Sequence, residues 1–174
     1  MKKISKELHT VEIMNYVSWY TKLLEPNNAD KLKILPINIR WALKKTIDSI
    51  SKSAQLFEEF KNEILTEFQK EFFSDEKSIA VKVPQTDKNG NTILDEHGNP
   101  IEMDGRQIKK EYLEQYKEKE KEINKQLREA LSEKNEYKIF VVNLDDFVES
   151  LNEDSPFEFS DLEMLSLIDD TCDD

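Results

Sequence analysis

The chain has 174 residues, of which 37% are apolar and 36% charged, and a formal net charge of -12. That length can bury a sizeable core, and such a charge fraction fits elongated helices with much solvated surface. The single cysteine, Cys172, has no intramolecular partner, so disulfides are excluded as a stabilising device and a reducing interior is the default compartment.

The N-terminus has a basic start but no apolar run long enough for a signal peptide. No segment approaches the length needed to span a bilayer, so a soluble, intracellular protein is expected. Residues 11 to 24 predict a helix with Ile13, Tyr16, Val17, Tyr20 and Leu24 on one side, ended by Glu25-Pro26-Asn27-Asn28. Trp19 and Trp41 are expected in core or inter-helix packing. Residues 1 to 35 thus read as an N-terminal helix and a connection.

Leu35-Pro36 suits a helix opening, because the fixed φ of proline fits the first turn. From there to Phe72 the chain has no further proline and no glycine. Leu43, Ile47, Ile50, Ala54, Phe57, Ile64 and Phe68 make one apolar stripe, with Lys61 at its single polar position. A helix over 36–73 would be about 55 Å long and would need a partner of similar length.

Residues 74 to 105 hold all three glycines of the protein, Gly90, Gly98 and Gly105. Ile79, Val81 and Val83 alternate with polar residues as in a half-exposed strand. A tandem echo follows, Asp87 to Ile93 and Asp95 to Ile101, at a period of eight residues. Asn89-Gly90 and His97-Gly98 tolerate positive φ in tight turns, so this segment reads as a twisted β-ribbon. A calcium loop is rejected: glycine falls at the fourth place instead of the sixth, and no acid occupies the twelfth.

Residues 106 to 136 predict the return helix, with Ile108, Tyr112, Tyr116, Ile123, Leu127 and Leu131 at helical spacing. Its Lys and Glu alternate in sign, with spacings such as Glu114/Lys117 that meet on a helix surface. An unopposed basic row for nucleic acid is lacking, so direct nucleic-acid binding is not expected. Tyr137 to Leu144 reads as a buried strand, expected beside the N-terminal region. Ser160-Asp161-Leu162-Glu163 matches a capping box before a final helix with Leu162, Leu165 and Ile168 inward, and 170–174 forms an acidic tail.

The acidity has a location. Residues 145 to 174 contain twelve Asp or Glu and no Lys or Arg, while 1 to 144 balance at twenty-five of each sign. Such a field attracts cationic partners in a salt-sensitive way, and it equally serves to keep an exposed end soluble. The fold class is therefore mainly α with a small β part, in a single domain over 1–174. Its frame is a long antiparallel helical hairpin with a β-ribbon between the two helices, plus a C-terminal strand and a short acidic helix over 137–169.

No catalytic constellation emerges. His9 and His97 lie far apart, Cys172 is surrounded by aspartates that would raise its pKa, and no phosphate-binding glycine pattern occurs. Asp145 and Asp146 with Asp169 and Asp170 read as solvated acids in preference to a cation site. No enzyme activity, cofactor or metal is expected. The candidate partner-binding residues are Asn89, Gly90, His97 and Gly98 at the ribbon, and Asp145, Asp146, Asp169 and Asp170 near the C-terminus.

The order of parts carries a resemblance. Leu35-Pro36 opens a long helix with an early Ala42, a Lys/Glu-rich helix returns, and an apolar strand precedes Asp161-Leu-Glu-Met-Leu-Ser-Leu-Ile168. Across residues 11 to 169 this resembles a family of uncharacterised small proteins from phages and prophages of Gram-positive bacteria. The resemblance implies a non-catalytic protein in the cytoplasm of the bacterial host. The absence of chemistry together with a long hairpin that presents two surfaces points to a protein that binds and modulates a host or phage protein, the alternative being a particle-assembly role as a homo-oligomer.

Overall fold

A computed structural model describes residues 1–152 and 154–170. The protein is mainly helical, with two small antiparallel sheets of two strands each. Contacts divide the chain into two compact units, residues 1–59 with 128–174, and residues 60–127.

The first unit opens with a strand, Lys2–His9 (β1), where the sequence reading has only a helix and a connection. Just Ile4 and Leu8 are apolar in that stretch, too few to announce it. Its ladder partner is Lys134–Val141 (β4), more than a hundred residues away, in an antiparallel register that sets Ile4 opposite Ile139 and His9 opposite Lys134. The C-terminal strand therefore does lie against the N-terminal region. It begins earlier than expected, because polar Lys134 to Glu136 continue the ladder with Glu7 to His9.

Helix Thr10–Leu23 (α1) follows, with Glu12 reaching back to accept the His9 N–H at 2.6 Å. This bond gives the His9 N–H a partner at the helix start. The expected polar connection contains a short helix, Ala29–Ile34 (α2), entered through a 3-10 turn at Pro26–Asn28. Helix Ile37–Phe72 (α3) starts after Pro36 and matches the expected span to within a residue at each end.

Leu43, Ile50 and Ala54 of the α3 stripe are buried, and Ile47 and Phe57 half-buried. Leu43, Ile50 and Ala54 join Leu8, Ile13, Ile139, Val141, Leu165 and Ile168 in the core of this unit, with Ile47 packed against it. The outer edge of β4 is closed by three contacts. Thr46 Oγ1, fully buried on α3, accepts the Phe140 N–H at 3.0 Å. The Val142 N–H bonds the Ile168 carbonyl at 2.8 Å, and the Asp170 N–H returns to Val142 at 3.1 Å. These contacts satisfy the backbone at the C-terminal end of that edge.

After β4 come helices Asp145–Ser150 (α5) and Phe159–Leu165 (α6). The expected cap at Ser160 is displaced to Glu158, whose N–H is accepted by Asp161 at 2.9 Å. Leu162, Leu165 and Ile168 turn inward as the spacing required.

In the second unit, the end of α3 meets the start of helix Leu113–Ser132 (α4) through aromatic rings. Phe68, Phe72 and Tyr116 form a triangle with centroids 5.0–5.5 Å apart. Lys77 lies over the Phe72 ring at 4.6 Å and pairs with Glu71 at 2.9 Å. Strands Ser78–Pro84 (β2) and Glu102–Ile108 (β3) pair between the two helices. The return helix thus starts later than residue 106, because Arg106 and Gln107 still face Ala80 and Ile79 in the ladder. Arg106 is also tied to Asp75 and, at 2.7 Å, to the buried Ser78 hydroxyl. Gly105 is required here, since a Cβ would sit 2.9 Å from Val83 Cγ2.

Candidate functional site

Beyond Pro84 and Glu102 the echo folds into a tip with threefold backbone pairing. The Gln85 N–H bonds the Ile101 carbonyl at 2.7 Å, Ile93 bonds Gln85 at 2.8 Å, and Ile101 bonds Ile93 at 2.9 Å. Three residues spaced by eight close a ring, which is why the period of the echo is eight. Between them each copy makes its own closed loop. Asp87 Oδ1 accepts the N–H groups of Asn89 and Asn91 at 2.8 and 2.9 Å. Asp95 repeats this with His97 and Asn99 at 2.8 and 2.9 Å.

These bonds hold both carboxyls below the usual aspartate range, chiefly through the Asn91 N–H for Asp87 and the Asn99 N–H for Asp95. The two acids are therefore engaged in holding turns, in keeping with the turn reading of Asn89-Gly90 and His97-Gly98. Gly90 and Gly98 take φ of 85° and 81°, a region that other residues enter at a cost. Gly90→Ala is expected to cost about 1–2 kcal/mol of local stability. Hydrogen exchange would show it as faster exchange at Asn91, with β1 and β4 unchanged.

The tip exposes Asn89 and His97 together with Leu94 and Ile101, and Met103 is exposed beside it on β3. A loop already folded in the free protein loses little entropy when it docks.

The second candidate group lies in the first unit. Asp169 runs parallel to Val142 as an isolated bridge, and Asp145 and Asp146 begin α5 three residues further on. The structure thus gathers the four C-terminal candidates around the end of β4, with Asn143 donating to Asp145 at 3.0 Å. The eight candidates fall into two groups, one in each unit. His9 belongs with neither: its Nδ1 lies 2.8 Å from the Ser132 carbonyl and ties α1 to the end of α4. Cys172 and the acidic tail beyond residue 170 lie outside the described residues.

Two features escaped the sequence reading. Trp19 is half-buried as expected, its ring tilted against that of Tyr16 with centroids 5.6 Å apart, but Trp41 is 50% exposed and not in the core. Trp41 and Ile37 sit on the side of α3 opposite Leu43 and Ile50, as their offset from the apolar stripe required. Lys45 lies over the Trp41 ring at 5.0 Å. The second feature is Asp161, which accepts from Trp19 Nε1 at 2.8 Å, from Lys31 Nζ at 2.6 Å, and from the Glu158 N–H. Burial pushes its carboxyl up, but Lys31, Glu158 and Trp19 together hold it below the ordinary value. Tyr16 is the opposite case, its buried hydroxyl raised above the usual phenol range by desolvation.

Comparison with family profiles, with curated proteins and with solved structures finds no match to this chain. Among the described residues, no helix is long and apolar enough to cross a membrane.

Proposed function

We propose that this chain is a non-enzymatic, phage- or prophage-encoded accessory protein that binds and modulates a host or phage protein in the bacterial cytoplasm. The observation that carries the reading is the tip: two pre-folded loops, each held by its own aspartate, flanked by exposed Leu94, Ile101 and Met103. We take its carrier to be a long antiparallel helical hairpin, a reading supported by the packing of Phe68 and Phe72 against Tyr116. The acidic group around Asp145, Asp146, Asp169 and Asp170 supplies a second surface suited to a cationic partner.

The test compares the intact chain with one in which residues 85 to 101 are replaced by a two-residue Asn-Gly turn. Affinity capture from the bacterial host is expected to retain a stoichiometric protein with the intact chain and to lose it with the shortened one. Equal recovery by both would move the contact away from the tip, and recovery by neither would count against the reading.

A second reading, a particle-assembly role as an obligate oligomer, is favoured by Leu56 and Phe60, one turn apart on α3 and both exposed. Light scattering separates the two. Under the second reading L56A with F60A dissociates the oligomer, whereas a wild-type monomer at micromolar concentration eliminates an obligate assembly.

A further inference from the structure

In an antiparallel pair, successive residues turn their backbone N–H and C=O alternately toward the partner strand and away from it. On β4 the Phe140 N–H goes to Thr46 at 3.0 Å and the Val142 N–H to Ile168 at 2.8 Å, neither to β1. The residues of β4 that bond β1 are therefore Asn135, Tyr137, Ile139 and Val141, opposite Leu8, Lys6, Ile4 and Lys2. Lys3, Ser5, Glu7 and His9 direct their backbone groups outward. The His9 N–H is closed by Glu12 at 2.6 Å, and Thr10 resumes the alternation with its bond to the Glu133 carbonyl at 3.0 Å. What remains is an open edge from Lys3 to Glu7. Its three outward residues are exposed and, among the described residues, no hydrogen bond from outside the strand pair reaches them.

The side chains along that edge select its partner. Glu7 stands directly opposite Glu136 in the ladder, and like charges so placed repel. Among the described residues neither carboxylate has an ion pair, nor does Lys3. Lys3 and Glu7 lie equally far from Ser5 on either side and carry opposite charges. The edge is thus complementary to a copy of itself turned about a two-fold axis through Ser5.

We propose that β1 pairs antiparallel with β1 of a second copy, joining two strand pairs into one continuous sheet. Ser5 then faces Ser5 across the axis, and Lys3 of each copy faces Glu7 of the other. All three are outward residues, so each facing pair exchanges both of its backbone hydrogen bonds. Glu7, with a like charge on one side, gains an opposite charge on the other.

The lysines exclude the neighbouring registers. A shift by two residues keeps the backbone bonds, but it sets Lys2 against Lys6 in one direction and Lys6 against Lys6 in the other. In the register centred on Ser5 no lysine faces a lysine, because Lys6 meets Ile4 and Lys2 meets Leu8. Lysines on an edge strand ordinarily deter a foreign strand. Here the same residues admit one partner in one register.

Sedimentation from micromolar to millimolar concentration, with hydrogen exchange on the same samples, tests this on the full chain. Wild type is expected to dimerise reversibly and weakly, since a strand edge buries less than a standard interface. Exchange at Ser5 and Glu7 is expected to slow as the concentration rises, while Ile4, Lys6 and Leu8 stay protected throughout. K3E and E7K, each at an exposed position, turn the facing charges from attractive to repulsive on both sides of the axis. Each is expected to weaken association about tenfold. The double variant K3E/E7K sets opposite charges face to face again and regains wild-type association.

A chain that stays monomeric over the whole range overturns the proposal. A dimer in which Ser5 and Glu7 exchange at a rate independent of concentration also overturns it, because the contact then lies elsewhere, as at the exposed Leu56 and Phe60. So does a double variant no better than the single ones.

Discussion

Deleting residues 1 to 8 is expected to abolish cooperative unfolding of the unit built from residues 1–59 and 128–174. β1 contributes nothing that looks essential in isolation, being mostly Lys, Ser and Glu. Yet, among the described residues, it supplies the only ladder partner that β4 has, over eight paired positions. Without it Ile139 and Val141, now fully buried, lose the strand that covers one side of them. Leu8, 3% exposed, is lost from the core at the same time. A buried leucine alone is worth about 2–5 kcal/mol, against a total of about 5–15 kcal/mol for a typical domain. L8A is the graded version, expected to lose about 3 kcal/mol by the same cavity argument. Thermal unfolding followed by circular dichroism measures both. A truncated chain that keeps the wild-type midpoint would show that the sheet is not what holds this unit together.

What the sequence disclosed and what it concealed follow from where each element finds its partners. α3 could be read to within a residue because its signals are local: a proline at the start, no breaker inside, and one apolar stripe. The tandem echo was legible as turns for the same reason, since Asp87 and Asp95 bond residues only two and four positions away. The ring that joins the two echoes was not, because Gln85 carries no apolar or turn signal and is fixed only by its bonds to Ile93 and Ile101. β1 was invisible because its hydrogen bonds belong to residues 134 to 141 and its own composition is polar. The start of α4 was misplaced because Ile108 and Tyr112 fit a helical period while in fact ending a strand and a 3-10 turn.

Trp41 was misread for a different reason. Residue type points a tryptophan to the core, although its position two residues before Leu43 puts it on the opposite side of the same helix. The phase of the apolar stripe, and not residue type, decides which side of α3 the indole takes. The candidate residues at the tip were found through turn chemistry. The acidic group was found through charge, and its gathering around Val142 could come only from the tertiary pairing of Asp169 and Asp170 with that strand end.

Asp161 is where a single substitution should reach furthest. Its carboxylate receives three hydrogen bonds, from Lys31, Trp19 and the Glu158 backbone, that tie α1, α2 and α6 to one point. Its side chain is 8% exposed and that of Lys31 17%, so neither charge is well hydrated. D161A removes the acceptor and leaves a poorly solvated ammonium and an indole N–H without partners. Breaking a pair of this kind costs about 3–5 kcal/mol, and at about 2–4 °C per kcal/mol for a chain of this size the midpoint should fall by roughly 6–20 °C. Replacing both partners together, as K31M with D161L, leaves no stranded charge and should return much of the loss. Because the folded carboxyl is held below its ordinary value, its stabilisation is fully present above the unfolded pKa of about 3.9 and is lost as the pH falls through the folded one. The stability gap between wild type and D161N, from urea unfolding, should therefore stay level from neutral pH to about 5 and close below about 4. A gap that persists unchanged in acid would mean that packing around Asp161, and not its charge, is what the substitution removes.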